Sequence, residues 1–166
     1  MAKKQEKQKN TAVVLFWIYG ILMVYLLFIR NRTAVEGVPY WEQVKGNFNL
    51  TPFHTIGDYW HILTNKEYYL VKWGAYAIYR EQARHAFINL VGNVVMFVPL
   101  GYCLPSVSGK YRTFFRTLFA GAGLIIVVEI LQLFTLLGSC DVDDLILNLC
   151  GVILGYFCWG PRGKRK

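Results

Sequence analysis

The chain has 166 residues, 55% of them hydrophobic and 17% charged, with a formal net charge of +8. That is one domain's worth of material, too apolar for an ordinary soluble domain. The basic balance would suit nucleic acid, but no recognition motif accompanies it and nucleic-acid binding is set aside. The class turns on whether the apolar residues come in blocks of roughly 20, the length a helix needs to cross hydrocarbon.

They do. Thr11 to Ile29 contains no charge, and at about 1.5 Å per residue it covers most of a 30 Å hydrocarbon layer. Lys3, Lys4, Lys7 and Lys9 precede it in the manner of a signal peptide. The apolar stretch is too long for one, and no small-x-small cleavage site follows, so an uncleaved anchor is expected.

Arg30 to His85 is a long connection of 56 residues. Within it Tyr59, Ile62, Leu63, Tyr69, Leu70, Trp73, Tyr76 and Ala77 recur at three- and four-residue spacing, the pattern of an amphipathic helix. Trp60, Tyr68 and Tyr79 suit the membrane interface, while Lys66 interrupts the stripe and Gly74 weakens the helix. The helix either lies in the interface plane or packs on the spans.

Three further apolar blocks follow, at Ala86 to Leu104, Thr117 to Leu137 and Leu145 to Gly160. Four such blocks leave too little polar surface to cover them in water. An all-α fold with about four transmembrane helices, near 11–29, 86–104, 117–137 and 145–160, is expected as a single domain. Pro99 removes one amide from the second span, so a kink or break is expected near Val95 to Pro99. Gly92 and the Gly151-x-x-x-Gly155 pair suit close helix approach. Cys103, Cys140, Cys150 and Cys158 form no C-x-x-C pair and read as free thiols.

Short loops rich in Lys and Arg stay cytoplasmic. The N-tail, the connection with Lys110, Arg112 and Arg116, and the tail with Arg162, Lys164, Arg165 and Lys166 are all basic, whereas Gly138 to Asp144 has three Asp and no basic residue. Both termini are therefore expected inside, with the 30–85 loop and the acidic loop outside.

With that topology the polar residues of the spans gather in the outer half of the bilayer. Arg84 and His85 lie at the outer edge of span two, with Asn89 and Asn93 following on one helix face. Glu129 lies about 12 Å deep in span three, with Gln132 a turn shallower. Asn148 is a turn into span four on the face of Asp144. An ionisable group at such depth is costly and faces a bundle interior or cavity, so Glu129 should have a partner. Asn and Gln residues in spans also serve as interhelical hydrogen bonds. In Gly138 to Asn148, Asp141 can cap the helix that follows, and acidic residues favour its positive end. Three Asp in four residues exceed what capping needs. A ligand-binding set of Asn89, Asn93, Glu129, Gln132, Asp141, Asp143, Asp144, Asn148, Arg84 and His85 is expected, with Glu129, Asp141 and Asp144 as candidates for acid/base or metal-binding work.

Four stretches carry a resemblance: FNLTPFHTI (Phe48 to Ile56), INLVGNVVMFVPLGYCLP (Ile88 to Pro105), VEILQLF (Val128 to Phe134) and CDVDDLILNLCGVILGY (Cys140 to Tyr156). In these the chain resembles the VanZ-like membrane proteins of bacteria. The resemblance implies a four- or five-span helical protein of the bacterial cytoplasmic membrane, in a family named for a protein of low-level resistance to the lipoglycopeptide teicoplanin. It carries Asn93, Pro99, Gly101, Glu129, Gln132, Asp141, Asp144, Asn148 and Gly151 over as characteristic residues. Many relatives place an Arg shortly before the acidic stretch, where this chain has Leu136, Leu137, Gly138 and Ser139. Arg80 or Arg84, a metal, or protonation would then balance the carboxylates.

Three functions stay open. The first is an outward polar cleft that binds a lipid-linked envelope precursor or an amphiphilic antibiotic, in contact with membrane lipid. The second is an intramembrane enzyme acting on a lipid phosphate or glycan, although no nucleophile motif such as G-x-S-x-G occurs. The third, a transporter, lacks the inverted repeat of that class. No cofactor is expected, a divalent cation being the one candidate, and the oligomeric state is left open.

Overall fold

The structure, a computed structural model, describes residues 2–29 and 35–160, with backbone alone for 2–9 and 29. The side chains of Lys3, Lys4, Lys7 and Lys9, the loop start at Arg30 and the basic tail from Arg162 lie outside the described residues.

The order of elements is α1 (Ala2–Val24), a π-helical turn (Tyr25–Ile29), α2 (Tyr40–Gly46), β1 (Phe48–Asn49), α3 (His54–Thr64), α4 (Lys66–Trp73), α5 (Tyr76–Val107), a 3-10 turn (Gly109–Tyr111), α6 (Phe114–Thr135), β2 (Cys140–Asp141) and α7 (Val142–Trp159). Four helical stretches are long and apolar enough to cross a membrane: Asn10–Phe28, Tyr76–Val107, Phe114–Thr135 and Val142–Trp159. Hydrocarbon offers backbone groups no water, so an apolar run of this length closes its own hydrogen bonds as helix. The result is an integral membrane protein. Trp17, Ile18 and Ile21 on α1 and Phe115 and Phe119 on α6 are exposed large apolar residues, the side chains that lipid would cover.

The spans match the sequence reading to within a few residues, with two differences in α5. It starts at Tyr76, ten residues before the apolar block at Ala86. The sequence YAIYREQARH contains good helix formers and no breaker, so the helix runs on past the apolar zone. The kink or break expected near Val95 to Pro99 does not divide the helix, which passes Pro99 and Pro105 to Val107. The loss of the Pro99 amide is tolerated where α7 packs along the same stretch.

The amphipathic stripe is divided as well. Asn65 separates α3 from α4, and α4 stops at Gly74 with φ 66, a left-handed conformation that suits glycine. Tyr59, Ile62, Leu63, Tyr69, Leu70 and Trp73 are half-buried, and both short helices lie against α5. Trp60, Tyr68 and Val71 point away from the protein. The stripe therefore covers the protruding end of α5.

α5 and α7 run in the same direction and make the closest approach in the molecule. A Cβ at Gly151 would sit 2.2 Å from the Val94 carbonyl oxygen, at Gly155 2.0 Å from that of Val98, and at Gly101 2.0 Å from that of Val152. Backbone meets backbone at these points, and only glycine leaves room. Gly92 does not share the role, since its nearest neighbour would be the Ile88 side chain at 3.8 Å. α6 returns antiparallel along α7, with the Val152 side chain against Gly121. Met23, Leu27, Phe97, Leu100, Leu104, Ile125 and Val152 form the core where all four spans meet. Tyr19 fixes α1 further by donating its hydroxyl to the Met96 carbonyl at 3.0 Å.

A Gly155→Ala substitution should therefore force α5 and α7 apart and cost about 1–3 kcal/mol or more, as overpacking does. Gly123, with nothing within 4 Å of a built Cβ, is the control. Thermal unfolding in detergent should show a lowered midpoint for Gly155→Ala and none for Gly123→Ala.

Candidate functional site

The segment Phe48 to Ile56 and the acidic stretch are far apart in sequence and bound together in space. β1 pairs in parallel with β2, Phe48 opposite Cys140 and Asn49 opposite Asp141. The Cys140 amide donates to the Asn47 carbonyl at 2.8 Å.

Asp141 caps α7 as its position suggests, its Oδ1 accepting the Asp143 amide at 2.9 Å. Its Oδ2 accepts the Thr55 hydroxyl at 2.6 Å and the Asn49 side-chain amide at 3.2 Å. Asp143 has no exposed surface. Its Oδ1 accepts the Phe53 amide at 2.5 Å and its Oδ2 the Ile56 amide at 3.0 Å. Those amides belong to the start of α3, where Phe53 sits at φ 63 and supplies no capping side chain. A helix start leaves its first amides without intrahelical partners. Asp143 satisfies two of them from another helix. The expectation that three Asp exceed capping needs is thus met in part by a second helix to cap.

Gln132 is also tied internally. Its amide donates to the Leu27 carbonyl at 3.1 Å and joins α6 to the π-helical turn after α1. Arg84 pairs with Glu81 on the exposed side of α5, at 2.5 and 3.1 Å. The His85 ring packs edge-on to Tyr59, centroids 5.9 Å apart. Neither side chain is bonded to Glu129, Asp141, Asp143 or Asp144 among the described residues. The two ion pairs among the described residues, His54 with Asp58 and Arg84 with Glu81, leave the carboxyls of Glu129, Asp141, Asp143 and Asp144 without a basic partner.

What remains is a smaller polar set between α5, α6 and α7. Asn93 donates to Asp144 Oδ1 at 2.5 Å and, more weakly, to Asn89 Oδ1 at 3.4 Å. Glu129 faces the Asp141 amide and the Asp144 carboxyl. It is six residues before the end of α6 at Thr135, about 9 Å by the helical rise. Glu129 is 6% exposed and Asn148 3%. Glu129 Oε2 and Asn148 Oδ1 have no hydrogen-bond donor among the described residues. A buried polar atom without a partner is uncommon and costs of order 1–3 kcal/mol.

A cleft of about 250 Å³ opens beside this set, lined by Leu50, Ile126, Glu129, Ile130, Cys140, Asp141, Val142 and Leu145. Its accessible walls are apolar, with Glu129 and Asp141 bordering it and the Asp141 oxygens and Glu129 Oε2 turned into the protein. Two groups outside the spans feel the local charge. Burial raises the Tyr59 phenol above its ordinary pKa, and Asp144, Asp141 and Asp58 raise it further. Burial likewise raises the Cys140 thiol, with Glu129, Asp141 and Asp144 adding to it. As for metals, Asp141 and Asp143 spend oxygens on bonds within the chain. Among the described residues no three His, Cys, Asp or Glu side chains stand as a metal-holding group.

The arrangement of these motifs has counterparts. The VanZ/LLP1 family model matches residues 16–160. The chain belongs to the VanZ/LLP1 family. A curated relative, Protein VanZ of Enterococcus faecium, is 23% identical over 147 residues, covering 89% of this chain and 72% of the relative. No solved structure matches the chain.

In this VanZ-like protein the residues that sequence reasoning left without a role are Asn49, Thr55 and the amides of Phe53 and Ile56. The available signal was the stretch FNLTPFHTI itself. Asn49 accepts the Thr51 amide at 3.0 Å, the Asx-turn that an Asn two residues before a Thr-Pro predicts. Nothing local says that the turn docks on an acidic stretch about 90 residues later.

Asp143→Asn places an NH₂ against one of two backbone amides. It should destabilise the protein by about 1–3 kcal/mol, the cost of a lost buried bond and a misplaced donor. Limited proteolysis should show the first loop cut faster than in wild type, and equal rates would contradict the docking role. A raised phenol pKa means that folding favours neutral Tyr59. Its contribution is present below the unfolded value near pH 10 and lost as pH rises toward the folded value. Absorbance titration at alkaline pH should lose a late-titrating component in Tyr59→Phe, and the variant should resist alkaline unfolding better.

Proposed function

We propose that this VanZ-like membrane protein contributes to low-level resistance to the lipoglycopeptide teicoplanin. It does so through an outward-facing cleft that binds a lipid-linked envelope component or an amphiphilic antibiotic. The observation that supports the reading is the cleft between α6 and the β2–α7 junction, apolar in its walls and bordered by the polar set that contains Glu129 and Asp141. Such a groove suits a ligand with a hydrocarbon part and a polar part, arriving sideways from the bilayer.

Orientation follows from the basic residues. Lys110, Arg112 and Arg116 stand at the opposite end of the bundle from the acidic stretch. Basic loops remain cytoplasmic, so the cleft faces the extracytoplasmic leaflet of the bacterial cytoplasmic membrane, with both termini inside. Lipoglycopeptides and lipid-linked precursors would meet it there.

The test is resistance in a susceptible bacterial host expressing the protein at matched membrane levels. Wild type should raise the inhibitory concentration of teicoplanin, and Glu129→Ala and Asp144→Ala should each return it to the host's level. Full resistance in both variants would remove the cleft from the mechanism.

A further inference from the structure

Contacts along the spans set a common scale of depth. At the basic end of the bundle the Phe114 ring packs 5.5 Å from that of Tyr156 and 5.9 Å from that of Phe157. The Tyr156 hydroxyl donates to the Arg112 carbonyl there, so α6 begins at the level where α7 ends. A hydrocarbon layer of about 30 Å takes about 20 residues of helix, and counting these from Phe114 reaches Phe134. The Phe134 carbonyl accepts the Tyr40 hydroxyl at 2.7 Å, and the Trp41 ring lies 5.1 Å from that of Tyr40. The boundary between hydrocarbon and water favours such a Tyr–Trp pair.

On this scale β1 and the start of α3 lie inside the boundary. Glu129, level with the Asp141 amide, is five residues before Phe134, about 7 Å by the helical rise. β1 pairs with β2 at that level, and the first amides of α3 end on Asp143. Backbone at such depth must be satisfied from within the protein. The Phe53 and Ile56 amides have Asp143, the Thr51 amide has Asn49, the Asn47 carbonyl has the Cys140 amide, and Pro52 has no amide to satisfy.

The exposed surface of this segment is divided by polarity. At about 100° per residue α3 presents three sides. Thr55, Ile56, Tyr59, Ile62 and Leu63 are half-buried and face the protein. His54, Asp58 and His61 share a second side, exposed and polar. Phe53 and Trp60, 65% and 64% exposed, share the third. Leu50, 62% exposed, lines the cleft with Ile126 and Ile130 of α6, which are themselves exposed where lipid would cover them. The apolar exposed side is thus continuous with the membrane-facing surface of the spans.

We propose that the β1–α3 segment is an in-plane anchor in the leaflet at the acidic end of the bundle. Leu50, Phe53 and Trp60 lie among the acyl chains, and His54, Asp58 and His61 lie toward the headgroups. Helices of this kind bury their apolar side about 5–10 Å into the boundary between headgroups and chains. The cleft beside Leu50 then opens into hydrocarbon. The anchor needs only the spans and stands apart from the resistance reading.

The experiment places the full chain in phosphatidylcholine vesicles and adds one tryptophan at a time, by Leu50→Trp, Phe53→Trp or His54→Trp. Emission gained over wild type is quenched with lipids brominated along the acyl chains, and separately with iodide on both sides of the vesicle. Leu50→Trp and Phe53→Trp should be quenched by the bromolipids, and several-fold less by iodide than His54→Trp, which shares their neighbourhood but lies on the polar side. The emission lost in Trp60→Phe should follow the Phe53→Trp pattern, which reads the same side of α3 without an added ring. Equal iodide quenching at Phe53→Trp and His54→Trp overturns the proposal. Quenching of Phe53→Trp and Trp60 by neither reagent marks protein over that side and overturns it as well.

Discussion

The backbone contact between α5 and α7 sets the positions of everything else. With glycine at 101, 151 and 155 the two helices touch main chain to main chain. This leaves no room for a side chain between them over more than a turn. In a bilayer the hydrophobic effect does not drive helices together, so association rests on packing and on polar contacts across the interface. The glycines supply the first and the Asn93–Asp144 bond the second. Once α5 and α7 are joined, α6 finds its place by setting Gly121 on Val152, and Glu129 is carried to the level of Asp144.

The same contact explains why a dense run of carboxylates is tolerated at the end of a membrane helix. Asp141 and Asp143 together receive five hydrogen bonds from α7 itself, from Asn49 and Thr55, and from the first amides of α3. Hydrogen bonds to a buried carboxyl offset the cost of burial, so these two residues act as joints between segments. Glu129 Oε2 and Asn148 Oδ1 have no such compensation among the described residues. A protein that retains two buried acceptors without donors among its described residues retains them at a cost in stability. Function is the economical explanation for that cost.

Much of this was legible in the residues. Four apolar blocks, the spacing of Asn89 and Asn93, and the capping position of Asp141 follow from periodicities that any helix obeys. The convergence of Asn93, Glu129, Asp144 and Asn148 follows from counting positions along spans whose directions alternate. Arg84 and His85 were placed at the site by sequence proximity to Asn89. The structure turns Arg84 to Glu81 and sets His85 against Tyr59, because Ala86 is wholly buried and its preceding residues point elsewhere around the helix.

The sequence by itself determined that the chain is a bundle of four apolar helices with its acidic residues at one end, since length, hydropathy and loop charge act locally and additively. Only the tertiary structure decided which carboxylates hold the fold and which are left with unused capacity. The physical reason is that a carboxylate's role depends on the donors that reach it. The donors to Asp143 are backbone amides about 90 residues away, brought close by a two-residue strand pairing. No spacing within CDVDDLILN distinguishes Asp143 from Asp144, whereas the first amides of α3 do.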